Sequence, residues 1–123
     1  EQMSGELPWV DPQRWASFAA FDDGDQRLRN EVVSDFLNDL PSRLDRIRQA
    51  HASSDREGLH LALHHLKGAA SNVGASRLAA RCEQMDRQSS GGQLEGLSLA
   101  ALEQDATQTA QALQDMQAAN STV

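Results

Sequence analysis

Three of the four histidines, His60, His64 and His65, fall within six residues of one another and are followed at once by Lys67 and Gly68. A helix advances about 100° per residue, so a helix through this stretch sets Lys67, Gly68 and Ser71 close to His64, with His60 one turn earlier. Leu59, Leu63, Leu66, Ala70 and Val73 then gather on the opposite side. The polar face offers an imidazole, an ammonium group, a position without a side chain and a hydroxyl. An exposed imidazole ordinarily titrates near pH ~6.5, so much of it is neutral and nucleophilic at neutral pH. Such a ring can carry a phosphoryl group. Lys67, at i+3, would offset the incoming negative charge, and Ser71 can hydrogen-bond a phosphoryl oxygen. Gly68, at i+4, costs about 1 kcal/mol relative to Ala in mid-helix. That cost makes sense if another protein must bring a reactive carboxylate close to His64.

Blander readings compete with each of these residues. A solvated histidine on a helix is usually only that, Lys67 alone is a surface lysine, and Gly68 alone is a close helix contact. His51 stands at a helix end and carries no chemistry of its own, while His65 flanks the polar face as a neighbour. Cys82 shares a stripe with Leu78 and Met85 and reads as core rather than as a reactive thiol. Glu57, His60 and His64 are spaced three and four apart and share a face that could ligate zinc. Lys67 on that face would repel the cation and no fourth ligand is evident, so no metal site is expected. No Gly-x-Ser-x-Gly elbow and no phosphate-cradling glycine loop appears.

The elements that must position these residues read as helices. Asp11-Pro12 starts a short one, with Asp as N-cap and Pro at the first position. Trp15, Phe18 and Ala19 form its apolar stripe up to Asp22-Asp23-Gly24, and its aromatic content suits a lid on one end of a bundle. From Asp25 a long pattern keeps Val33, Phe36, Leu37, Leu40, Leu44 and Ile47 on one face until Ala50–Ser53. Pro41 is expected to kink or split it. Ser54-Asp55-Arg56-Glu57 reads as a capping box opening the histidine helix, with Ser54 at N-cap. Gly74 breaks that helix, and the next carries Leu78, Cys82 and Met85 inward. Ser89-Ser90-Gly91-Gly92 reads as loop, extended by Gly96. Ser98 can cap a last helix with Leu99, Leu102, Ala106, Leu113 and Met116 at core spacing. The expected fold is all-α: an antiparallel up-down-up-down four-helix bundle with an extra short N-terminal helix.

Composition agrees with that architecture and excludes several functions. With 123 residues, one domain is expected, and an aromatic content of 4% without Tyr forces a Leu/Ala/Val core that favours helix. The formal charge of −7 gives no attraction to polyanions, so nucleic acid is not an expected partner. No apolar run approaches the ~20 residues that span a bilayer, and no signal segment opens the chain, so direct membrane insertion is not expected. One cysteine allows no internal disulfide, which suits a reducing, cytoplasmic setting. Residues 1–10 read as linker, 11–118 as the bundle and 119–123 as a tail.

The segment from His64 to Leu78 resembles the signature of the histidine-phosphotransfer (HPt) domains. It carries His-x-Leu-Lys-Gly over His64–Gly68, then five residues, Gly74-Ala75, two residues and Leu78. Cys82 follows four residues after Leu78, and Glu83-Gln84-Met85-Asp86 matches the family's short acidic or amide ending. Phe36-Leu37-Asn38-Asp39-Leu40-Pro41 is similar to the family's second helix, and the likeness runs from about Asp11 to Met116. The resemblance implies that His64, not His65, carries the phosphoryl group, with Lys67 and Gly68 in the family's Lys and Gly positions. Gly68, Leu61, His65 and Asn72 then belong to a partner-docking face. A Gln or Glu on the next helix often orients the histidine; the matching residue here is Asp86, whose side chain is shorter.

The resemblance further implies a phosphotransfer intermediate rather than a stand-alone catalyst, with no ATP-dependent kinase activity. The partners would be receiver domains of response regulators or hybrid sensor kinases. No cofactor is expected, Mg²⁺ being supplied by the receiver. The linker-like start leans toward an HPt domain of a hybrid sensor histidine kinase, the cytoplasmic portion of a membrane-anchored protein. The other reading is an interaction module of the same fold that binds a receiver or other regulatory partner without transferring phosphate.

Overall fold

The computed structural model describes residues 8–17, 27–91 and 98–121. Its helices are α1 (Pro12–Ser17), α2 (Arg27–Ala52), α3 (Arg56–Asn72), α4 (Ser76–Ser90) and α5 (Leu99–Ser121), and no strand occurs among the described residues. Helix α2 packs against α3 and α5, and α4 packs against the same two. That closed cycle, with tight turns joining α2 to α3 and α3 to α4, is the expected antiparallel bundle preceded by one short helix.

The core is aliphatic, as the composition requires. Ile47, Leu59, Leu63, Leu66, Leu78, Leu102, Leu113, Val33 and Val73 are all fully buried. Their spacing of three, four and seven turns one apolar stripe of each helix inward. Between α4 and α5 the core admits one ion pair, Arg81 Nε to Asp105 Oδ2 at 2.7 Å. Thr109, buried beside it, donates its hydroxyl to the Asp105 carbonyl at 2.7 Å, so its own polar group is satisfied.

Helix α1 starts as expected, since Asp11 Oδ1 accepts the Gln13 amide at 2.9 Å. Phe18, Ala19, the Asp22-Asp23-Gly24 ending and the Asp25 start lie outside the described residues, as do Gly92 and Gly96. The short helix lies on the turn between α3 and α4. The Asp11 amide donates to the Gly74 carbonyl at 2.6 Å, and Arg14 Nε donates to the Asn72 carbonyl at 2.9 Å. Trp15 is buried there beneath the Arg29 guanidinium, 4.3 Å from its ring centre, and Arg77 covers Trp9 at 4.1 Å.

Three local expectations are corrected. Pro41 does not split α2, which runs as one helix through it. The proline stands exposed on the outer side, while Phe36, Leu40, Ile47 and Ala50 are buried on the inner side and hold both halves to the bundle. The N-cap of α3 is Asp55, not Ser54: its carboxylate accepts the Gly58 amide at 2.9 Å. Ser54 instead closes α2 with φ +55°, in a Schellman pair of bonds from Ser54 N to His51 O and Asp55 N to Ala50 O. Finally, Ser89 and Ser90 belong to α4, and Ser89 is buried, so the loop begins only at Gly91. Packing of α4 along α3 outweighs the weak helix preference of two serines. The cap of α5 is as expected, with the Ser98 hydroxyl accepting the Ala101 amide at 3.2 Å.

Candidate functional site

The outer face of α3 is defined by what the inner face buries. Leu59, Ala62, Leu63, Leu66 and Ala70 point into the core, which leaves His60, Leu61, His64, His65, Gly68 and Ser71 outward and exposed. His64 stands at the middle of this ridge, far from both ends of the helix. Its flanks differ in chemistry because α2 lies along one side and α4 along the other.

On the α2 side a groove runs beside His64. Asp35, Phe36 and Asp39 of α2 line it opposite His65, Gly68 and Ala69 of α3. Its floor is apolar and its rim acidic, with Asp39 paired to Arg43 at 3.6 Å. Gly68 opens onto it: beyond its chain neighbours and the backbone of its own helix, a Cβ placed there would meet no atom within 4 Å. Nothing in the folded chain therefore requires a glycine at this position. Leu61, 48% exposed, extends the apolar surface one turn toward the start of α3. Asn72 borders the far end of the groove, and its side-chain oxygen accepts Arg14 Nη2 at 3.1 Å, so it also anchors α1.

On the α4 side the contacts are charged. Lys67 Nζ lies 3.8 Å from Glu83, which also pairs with Arg87 at 3.2 Å. Asp86 was expected near His64, but its carboxylate is bonded to His60, whose Nδ1 sits 2.8 and 3.0 Å from the two oxygens. The shorter Asp side chain reaches the nearer histidine, one turn before His64. The His60 ring in turn stacks on His64, with centroids 6.1 Å apart and planes 22° from parallel, while His65 lies 6.4 Å away at 50°. In the sequence His60 lies on the polar face and reads only as a candidate zinc ligand, not as a partner of Asp86. Both cross-helix pairs straddle Gly74 by similar numbers of residues, so treating α3 and α4 as a hairpin centred there would have brought His60 to Asp86.

The remaining candidates fall elsewhere. His51 sits in the last turn of α2. Among the described residues no group of three or more His, Cys, Asp or Glu is placed to hold a metal ion, and Glu57, His60 and His64 form no such cluster. Cys82 is fully buried, and its thiol is pushed up to about 12 by desolvation first and by the Asp105 carboxylate second. That thiol is core, not a nucleophile.

His64 thus stands exposed on a helical bundle, one turn from an open mid-helix glycine and at the edge of a groove. The Hpt domain family model matches residues 31–119. The chain belongs to that family, the histidine phosphotransfer modules of phosphorelays. Its fold is similar to that of histidine-containing phosphotransfer protein B (HptB) from Pseudomonas aeruginosa PAO1, with a TM-score of 0.75 and 21% identity over 90% of this chain and 96% of that one. A search of the curated proteins finds no match. Hpt domains generally interact with receiver domains. Among the described residues no helix is long and apolar enough to cross a membrane.

Proposed function

We propose that this chain accepts a phosphoryl group on His64 from the aspartyl phosphate of one receiver domain and passes it to the aspartate of another. The neutral ring nitrogen attacks phosphorus in line, the P–O bond to the receiver carboxylate breaks, and its electron pair leaves with that carboxylate. The ring then sheds its surplus proton to water, and the reverse sequence delivers the group onward. Mg²⁺ and most of the catalysis come from the receiver, so the chain itself uses no cofactor and does not phosphorylate itself from ATP. The setting is the cytoplasm, as an HPt domain of a hybrid sensor histidine kinase.

One observation carries this reading: the space beside His64 at Gly68 is open although nothing inside the chain needs it. A mid-helix glycine is destabilising, so its use lies with a second molecule approaching His64. The α2-side groove, with Leu61 and His65 at its edge, is the docking surface. Lys67 and Ser71 balance and hydrogen-bond the phosphoryl oxygens.

Incubation with a phosphorylated receiver is expected to transfer an acid-labile, alkali-stable phosphate to the chain. His64→Gln is expected to abolish it. Label persisting in His64→Gln would move the site elsewhere, and a receiver that binds without exchanging label would make the chain a binding module only.

A further inference from the structure

We propose that His60, held by Asp86, is a second phosphoryl-binding group, which takes up a proton when His64 is phosphorylated and donates it as a hydrogen bond to the phosphoryl oxygens. This rests on His64 as the carrier. Both Asp86 oxygens lie on Nδ1 of His60, at 2.8 and 3.0 Å, so that nitrogen is the donor and Nε2 is left on the far side of the ring. The Asp86 side chain is 27% exposed and that of His60 53%, which places the carboxylate inside and the imidazole outside. A carboxylate behind an imidazole fixes its tautomer and balances the charge of the doubly protonated ring.

The place where that proton would be useful is the neighbouring ring. His60 stacks on His64 at 6.1 Å, close enough for a group carrying about two negative charges to draw a proton from water onto Nε2. Lys67 does not supply this charge alone, because it shares Glu83 with Arg87. The charged groups around His60 are Arg56, Glu57 and His64 on α3, and Asp86 on α4 with Glu83 and Arg87 beside it. Asp35, Asp39, Arg43 and Arg46 of α2 border the other flank, next to His64, His65 or Leu61. His64 is thereby divided between two neighbours: a docking groove toward α2 and a charge-balancing pair toward α4.

The test uses the full chain with ¹⁵N-labelled histidine, phosphorylated chemically with phosphoramidate and observed by NMR beside the unphosphorylated chain under the same mildly alkaline conditions. In the unphosphorylated chain His60 should show a proton on Nδ1 and a lone pair on Nε2. With phosphate on His64, the Nε2 signal should move into the protonated range. Asp86→Asn should lose most of that movement, although the melting temperature changes little. A bare Nε2 in the phosphorylated chain, an unchanged response in Asp86→Asn, or phosphate accumulating on His60 itself would each overturn the proposal. With a receiver present, His60→Gln should lower the phosphorylated fraction of the chain at equilibrium several-fold. Should receivers never label the chain while the chemically loaded protein shows the protonation, the carrier role fails and the His60 inference stands. Efficient labelling of His64 with no response at His60 gives the reverse.

Discussion

A Cβ on Gly74 would lie 2.9 Å from the Cβ of Arg14, so the turn between α3 and α4 is also the seat of α1. Gly74 has φ +80° and closes α3 through bonds from Gly74 N to Ser71 O and Ala75 N to Ala70 O. Gly74→Ala faces both a left-handed backbone and a collision with α1. A loss of about 1–3 kcal/mol is expected in urea unfolding. Release of α1 should accompany it, seen as a change in tryptophan fluorescence as Trp15 loses its burial.

Ser54 occupies the equivalent position at the end of α2 with φ +55°, but without the freedom of glycine. Ser54→Gly should therefore stabilise the chain by about 0.5–1 kcal/mol, the strain relief exceeding the added entropy of the unfolded state. Thermal unfolding measures it; a lower melting temperature would show that the serine side chain contributes a contact that outweighs its strain.

Gly68 should separate stability from function. Because a Cβ there meets nothing within 4 Å, Gly68→Ala is expected to stabilise the isolated chain by about 1 kcal/mol through helix propensity alone. The same substitution should slow transfer from a phosphorylated receiver, and Gly68→Gln should slow it further. Stability from denaturant curves and initial transfer rates are read on the same samples; rates unchanged in both variants would remove Gly68 from the docking face.

Cys82 should make the protein sensitive to alkali. The folded chain keeps the thiol proton to about pH 12, because burial disfavours the thiolate and Asp105 adds to the effect. An unfolded thiol gives its proton up near pH ~8.5. Above that pH the unfolded state binds fewer protons than the folded one, so stability falls as pH rises, by up to about 1.4 kcal/mol per pH unit. Below it both states hold the proton and the residue adds no pH dependence. Urea unfolding of the chain and of Cys82→Ala at pH 7.5, 9 and 10 should show the extra slope only with the cysteine. Iodoacetamide should label Cys82 only in the unfolded chain.

The apolar stripes were legible residue by residue. Leu59, Leu63, Leu66, Ala70 and Val73 are buried as their spacing requires, and His64, Gly68 and Ser71 are exposed for the same reason. What was not legible lay where several local solutions compete. Ser54 and Asp55 are both good N-caps, and only the closing geometry of α2 chose between them. Pro41 and Ser89-Ser90 carry poor helix propensity, which burial on the inner side of α2 and α4 overrides.

Helical periodicity is a one-dimensional property, set by 3.6 residues per turn, and it sufficed to determine the bundle, its core and the face carrying His64, Lys67 and Gly68. Which residues meet across two helices is not periodic. It depends on the register of α3 against α4 and on the reach of each side chain. The Asp86 carboxylate, one methylene shorter than the Gln or Glu that the resemblance implies at this position, joins His60 rather than His64, and only the packed structure decided that.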